Sequence, residues 1–155
     1  MLINNSIYRV LPVQIIQFWD AIKYACIQAD ELKAEQYLKY FNELLQALLS
    51  DTAQCFIVLN NDRVLHAIAV TRITINKVQL QKELDIQCLY SMSAMSDSEL
   101  RKYFKFIANF ATQEECKVIT FSSRNSRIWQ VANTVGCTER HRTFIFELGG
   151  NYNGW

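Results

Sequence analysis

Arg124, Arg127, Arg140, His141 and Arg142 flank the two ends of one short helical pattern near the end of the chain. Guanidinium groups gathered in space can bind a phosphate, a nucleic-acid backbone or an acidic protein surface. The competing use is a solvated charged rim in which Glu139 and other acids pair with them. Other reactive side chains are less organised. Cys26, Cys55, Cys88, Cys116 and Cys137 are widely spaced, with no C-x-x-C pair and no adjacent histidine. They are expected to be reduced thiols that pack as small apolar side chains, because thiolate chemistry and zinc binding need a partner base or clustered ligands. No metal site is expected. His66 lies in an apolar run and has no partner in sequence, so a hydrogen-bonded core or edge histidine competes with a catalytic one.

Glycine usage narrows the chemistry further. All four glycines fall at positions 136, 149, 150 and 154, and the one proline is Pro12. A glycine-rich phosphate cradle is therefore excluded before Gly136, and with it the Walker and dinucleotide-binding loops. Sixteen Lys and Arg against fifteen Asp and Glu give no general attraction for a polyanion, so any anion site must be local.

The elements that must position these groups are legible from periodicity. Ser6–Leu11 reads as a short strand closed by Pro12, and Val13–Ala29 repeats apolar residues at helical spacing. Asp30–Leu49 does the same through Leu32, Tyr37, Phe41, Leu44 and Leu48. Cys55–Leu59, Arg63–Ile75 and Glu83–Tyr90 read as three antiparallel strands in a row, with Asn60-Asn61-Asp62 as the first turn. In the third, Leu84, Ile86, Cys88 and Tyr90 alternate with Glu83, Asp85 and Gln87. Ser96 with Glu99 forms a capping box before the helix Asp97–Glu115. Val118–Phe121 is a short buried strand, Asn125 or Ser126 starts a helix through Ile128, Val131 and Val135, and Gly136 caps it. Thr143–Leu148 is expected to close the sheet as a final strand.

That order of elements, with the Asn125-to-Gly136 spacing, resembles the GNAT superfamily of acyl-CoA N-acyltransferases over roughly Ile7 to Leu148. It implies an α/β (α+β) domain: a mixed, mainly antiparallel sheet with helices on both faces, in the order β-α-α-β-β-β-α-β-α-β. One domain over residues 1–148 and a loosely structured tail over 149–155 are expected. In the family, the segment after the fourth strand reads Arg/Gln-x-x-Gly-x-Gly/Ala and holds the pyrophosphate of CoA on backbone N–H groups. Here the matching Ser91–Asp97 has no glycine, and Asp97 and Glu99 occupy the first helical turn, where carboxylates satisfy the helix dipole and repel a phosphate. The tyrosine that often serves as general acid falls on Ala132.

Two sets of residues keep the family's chemistry open. The resemblance implies Glu83 or Asp85 as a general base and Tyr90 as a displaced acid, against a solvated strand face and a packed aromatic. It also implies Leu89, Tyr90, Ser91, Met92 and Asn125 as the residues nearest a bound acyl-CoA. Serines 91, 93, 96 and 98 can donate hydrogen bonds to a ligand, one of them being already the helix cap. The stretch 125–137 is similar to that of GNAT-like virion proteins of short-tailed bacteriophages. The expected function is accordingly a non-catalytic binding or assembly protein such as a phage virion component. It would need no cofactor and would engage a protein partner, such as other virion proteins, through Arg124, Arg127, Arg140 and Arg142, with nucleic acid a weaker option. The alternative is a divergent acetyl-CoA-dependent N-acetyltransferase acting on an amine. With no charged-then-apolar leader at Met1 and no long apolar run, a cytoplasmic protein that neither is secreted nor spans a membrane is expected.

Overall fold

The computed structural model of the chain describes residues 5–122, 126–146 and 148–149. Five strands form one sheet in sequence order: β1 (Ser6–Val10), β2 (Ala53–Leu59), β3 (Leu65–Asn76), β4 (Gln81–Ser91) and β5 (Val118–Phe121). The first three pairings are antiparallel and the last, β4 with β5, is parallel. A parallel pair needs a crossover, which α3 (Asp97–Gln113) supplies. The mixed, mainly antiparallel sheet with helices on both faces agrees with the sequence expectation.

Alternation sorts the strand residues between two cores. Cys55, Ile57, Ile68, Val70 and Cys88 face α1 (Ile15–Asp30) and α2 (Tyr37–Leu49), which contribute Ile22, Cys26, Phe41, Leu44 and Leu48. Phe56, Ala69, Leu84 and Ile86 face α3 through Ile107, Phe110 and Ala111. The second helix begins later than the apolar pattern suggests. Glu31 takes a left-handed φ of 52° that ends α1, and a 3₁₀ turn over Ala34–Gln36 precedes α2. Helix α3 opens on the expected cap, the Ser96 side chain accepting from the Glu99 backbone N–H at 3.2 Å. Helix α4 (Ser126–Thr134) buries Ile128, and Gly136 sits at φ +90°, as a left-handed C-terminal cap requires.

The closing strand expected over Thr143–Leu148 does not form among the described residues. Residues 137–146 have no regular structure, and Phe144 and Ile145 are exposed. Period-two patterning states which side chains a strand would bury; the strand itself exists only where a neighbour offers hydrogen bonds, and β5 is 4 residues long. This segment is tethered elsewhere. Arg140 forks onto the Glu83 carboxylate, with Nη1 donating to Oε1 at 2.8 Å, and Nη2 also donates to Gln79.

Two predictions follow from this packing. Phe56 is almost wholly buried, with its ring edge-on to Phe110 at 5.4 Å and to Phe106 at 6.1 Å. Phe56→Ala should cost roughly 3–5 kcal/mol in urea unfolding with an unchanged m-value; a loss below about 1 kcal/mol would contradict the assigned core. The Arg140 bond holds the Glu83 carboxyl at about 2, below the ordinary 4.5. A depressed folded value means that the pair's stabilisation is complete above pH 4.5 and disappears as pH falls towards about 2. Glu83→Gln should therefore flatten the acid limb of a melting-temperature profile, and an unchanged limb would refute the linkage.

Candidate active site

The ladder between β4 and β5 runs from Glu83 opposite Val118 to Ile86 opposite Phe121 and stops there. Strand β4 continues to Ser91, so from Gln87 onward its β5-side edge has no described strand beside it. Among the described residues the β4 edge is thus left unpaired from Gln87. At that point the other edge of β4 is irregular as well: Val70 faces Cys88 while the next residue, Thr71, faces Ile86. Gln87 is thus an extra residue without a partner on β3, a β-bulge of the kind found beside active sites.

The bulge changes which side chains share a face. In sequence, Leu84, Ile86, Cys88 and Tyr90 look like one apolar row. The structure splits them, with Leu84 and Ile86 in the core under α3 and Cys88 and Tyr90 on the side of α1 and α2. Leu89 joins the α3 side beyond the bulge, beside Phe104 and Phe121, whose rings stack at 6.1 Å. Leu89, Phe104, Phe121 and Val131 help line a narrow apolar cavity of about 40 Å³ beside this edge. On the opposite face, the Tyr90 ring meets Tyr24 edge-on at 5.7 Å. A hydrogen bond with Tyr24 raises the Tyr90 phenol above its ordinary value, with the nearby positive charge of Arg127 acting the other way. Tyr90 is therefore a protonated phenol at neutral pH and a donor in chemical terms.

Glu83 and Asp85 are placed differently. The alternative to a general-base role placed them on a solvated face, but they are 5% and 8% exposed. Both sit in the paired part of β4, ahead of the unpaired edge. Glu83 is held by Arg140, and Asp85 accepts from the Thr120 hydroxyl at 2.7 Å across the β4–β5 ladder. Of the acid–base candidates, only Tyr90 lies along the open edge, with Leu89 and Ser91 beside it and Met92 next in the chain.

After β4 the chain turns through Ser91–Ser96 into α3. The Ser91 hydroxyl donates to the Ser93 carbonyl, and Asp97 and Glu99 fall in the first turn of the helix. The described arginines of the set, Arg127, Arg140 and Arg142, have separate surroundings. Arg140 is on Glu83, Arg142 donates to Glu139 at 2.6 Å, and Arg127 lies near Tyr90. Arg124 and Asn125 lie outside the described residues, as does the tail from 150 to 155.

Gln87, Tyr24, Phe104 and Phe121 were missed as site residues by sequence reasoning. The unbroken alternation concealed the bulge, and the other three are brought to β4 from distant elements. Only the shortness of the apolar run Val118–Phe121 hinted that β5 would end before β4. Among the described residues there is no grouping of His, Cys, Asp and Glu able to hold a metal ion, and no helix is long and apolar enough to cross a membrane.

No protein-family model and no curated protein matches the sequence. Solved structures do match the fold. A protein described as a predicted acetyltransferase, from Clostridium acetobutylicum and solved with acetyl-CoA, superposes with a TM-score of 0.71 at 10% identity, over 94% of this chain and 97% of that one. An aminoglycoside N-acetyltransferase in complex with CoA gives 0.69 at 13% identity, over 97% and 98%. Ribosomal-protein-alanine N-acetyltransferase from Brucella melitensis biovar Abortus 2308 gives 0.68 at 8% identity, over 94% and 100%. These neighbours correct the expectation of a non-catalytic assembly protein of a phage virion, because each of these three structures, matched over nearly its whole length, is described as an acetyltransferase. At such identities the likeness concerns the fold, and the fold of this chain is that of the GNAT acetyltransferases.

Proposed function

We propose that this protein is a divergent acetyl-CoA-dependent N-acetyltransferase acting on an amine. The observation that carries the proposal is the open edge of β4 from Gln87 to Ser91, which begins at a bulge and is flanked by a protonated tyrosine. An uncovered strand edge presents alternating N–H and C=O groups, which pair with an extended amide-containing chain as an added strand would. The pantetheine arm is such a chain. Acetyl-CoA, when bound, supplies an activated acyl thioester.

The residues of the chain fit the arm and the acyl end better than the pyrophosphate end. Backbone groups of Leu89 to Ser91 would hold the arm, and Gln87, released from β3, lies at the start of the open edge, where a polarising backbone group would act on a carbonyl. Tyr90 would return a proton to the departing sulfur. The loop before α3 has no glycine, and Asp97 and Glu99 oppose an anion there. The positive charge for phosphate would come instead from Arg127, whose field already reaches Tyr90. Glu83, with its depressed carboxyl and its forked bond to Arg140, is a poor base at neutral pH, so the amine would enter unprotonated or lose its proton to water.

Calorimetric titration with acetyl-CoA tests this directly. Micromolar affinity is expected, near −8 kcal/mol, and Tyr90→Phe should slow acetyl transfer to an amine about a hundredfold without weakening that binding. Absence of heat and of any melting shift at millimolar ligand would retire the proposal.

A further inference from the structure

Strand β3 places two alanines on the face that α3 covers. Ala67 pairs with Val58 on one side and Ser91 on the other, and Ala69 pairs with Phe56 and Leu89. Both are buried, Ala69 in the cluster of Ile107 and Ala67 in that of Tyr103. Methyl side chains at these positions leave space that Leu100, Tyr103, Phe104 and Ile107 close over without filling, and the result is the apolar cavity of about 40 Å³. Among the described side chains that line it, the one hydroxyl, that of Tyr103, donates away to Glu99 Oε2 at 3.4 Å. A cavity of this kind stays dry and takes hydrocarbon, because an amine or hydroxyl placed there would lose its hydrogen bonds to water.

The cavity adjoins the acyl end of the proposed site. Ile86 and Phe121 are the last pair of the β4–β5 ladder, and both line it. Leu89, on the unpaired edge just beyond, lines it as well. Exposure is graded in the same sense: Leu89, Phe104, Phe121 and Val131 are half-buried, whereas Phe56, Ala67 and Ala69 on the sheet are buried. A thioester carbonyl at Gln87 would therefore have this space beside the carbons that follow it.

We infer that the cavity receives the hydrocarbon end of the acyl group, and that the preferred donor is the CoA thioester of a short unbranched fatty acid, with acetyl-CoA a smaller and weaker fit. The inference rests on the acetyltransferase reading and adds the class of donor to it. At roughly 10–15 Å³ for each water-sized group, the space holds about three methylene or methyl groups, which with the carbonyl carbon makes an acyl chain of about four carbons. Each carbon added up to that length is buried in apolar surroundings and should tighten binding about fourfold. Longer chains meet the buried floor and gain nothing more.

The test titrates the full chain calorimetrically with acetyl-, butanoyl-, hexanoyl- and decanoyl-CoA. Butanoyl-CoA is expected to bind about fifteenfold tighter than acetyl-CoA, and decanoyl-CoA no tighter than butanoyl-CoA. Ala69→Val adds methyl groups inside the cavity, so it should bring butanoyl-CoA down to the affinity of acetyl-CoA and leave acetyl-CoA where it was. Leu100→Ala, at a half-buried position of α3, widens the cavity from the opposite wall and should move the tightest donor from butanoyl- to hexanoyl-CoA. That second variant keeps the test decisive if Ala69→Val does not fold. Equal affinities for acetyl- and butanoyl-CoA, affinity that keeps rising to decanoyl-CoA, a butanoyl preference that survives Ala69→Val, or an optimum unmoved by Leu100→Ala would overturn the inference, while acetyl-CoA binding would still support the acetyltransferase proposal. Failure of every thioester to bind would overturn both.

Discussion

Strand β5 pairs with β4 over four positions and then ends, and most of what is chemically open in this molecule depends on that early stop. A parallel pair closed over its full length would bury the β4 edge in backbone hydrogen bonds. Here the pairing holds Glu83 to Ile86 and releases Gln87 to Ser91. The bulge at Gln87 compounds the release, since it turns the strand just where the neighbour leaves and re-aims Tyr90 towards Tyr24. Two cores pack the sheet on either face, and the β4 edge from Gln87 is extended with no described strand beside it.

Buried charge is spent on the closed half. Glu83 would be costly to bury alone, and Arg140 compensates with a forked bond, drawing the chain after α4 back to the β3–β4 end of the sheet. Asp85 is satisfied by Thr120 from β5 itself. Asp85 therefore helps to hold the β4–β5 ladder, and Glu83 anchors the chain after α4. The other half carries the Tyr90 phenol, unpaired backbone groups and apolar side chains.

Local features were legible in the sequence. Val118–Phe121 announced itself by its β-branched and aromatic residues, the cap of α3 by Ser96 and Glu99, and the end of α4 by Gly136, because each depends on neighbours a few residues away. Features that depend on distant partners were not. The alternation from Leu84 to Tyr90 continues through Gln87 without a break, so nothing in it marks the register shift that sends the two halves to opposite faces. Glu83 and Asp85 read as solvent-facing until Arg140 and Thr120 arrive from elsewhere, and Phe144 and Ile145 read as buried until no strand is found to receive them. The missing glycine loop pointed to lost function, whereas the fold is shared with acetyltransferases along nearly its whole length.

The central claim, that the open edge of β4 is where an acyl donor lies, is tested most directly by residue-resolved amide hydrogen exchange with and without acetyl-CoA. Slowed exchange concentrated in residues 87–91 is expected, with the β3–β4 hairpin end unchanged. Binding that protects only a region remote from this edge would contradict it.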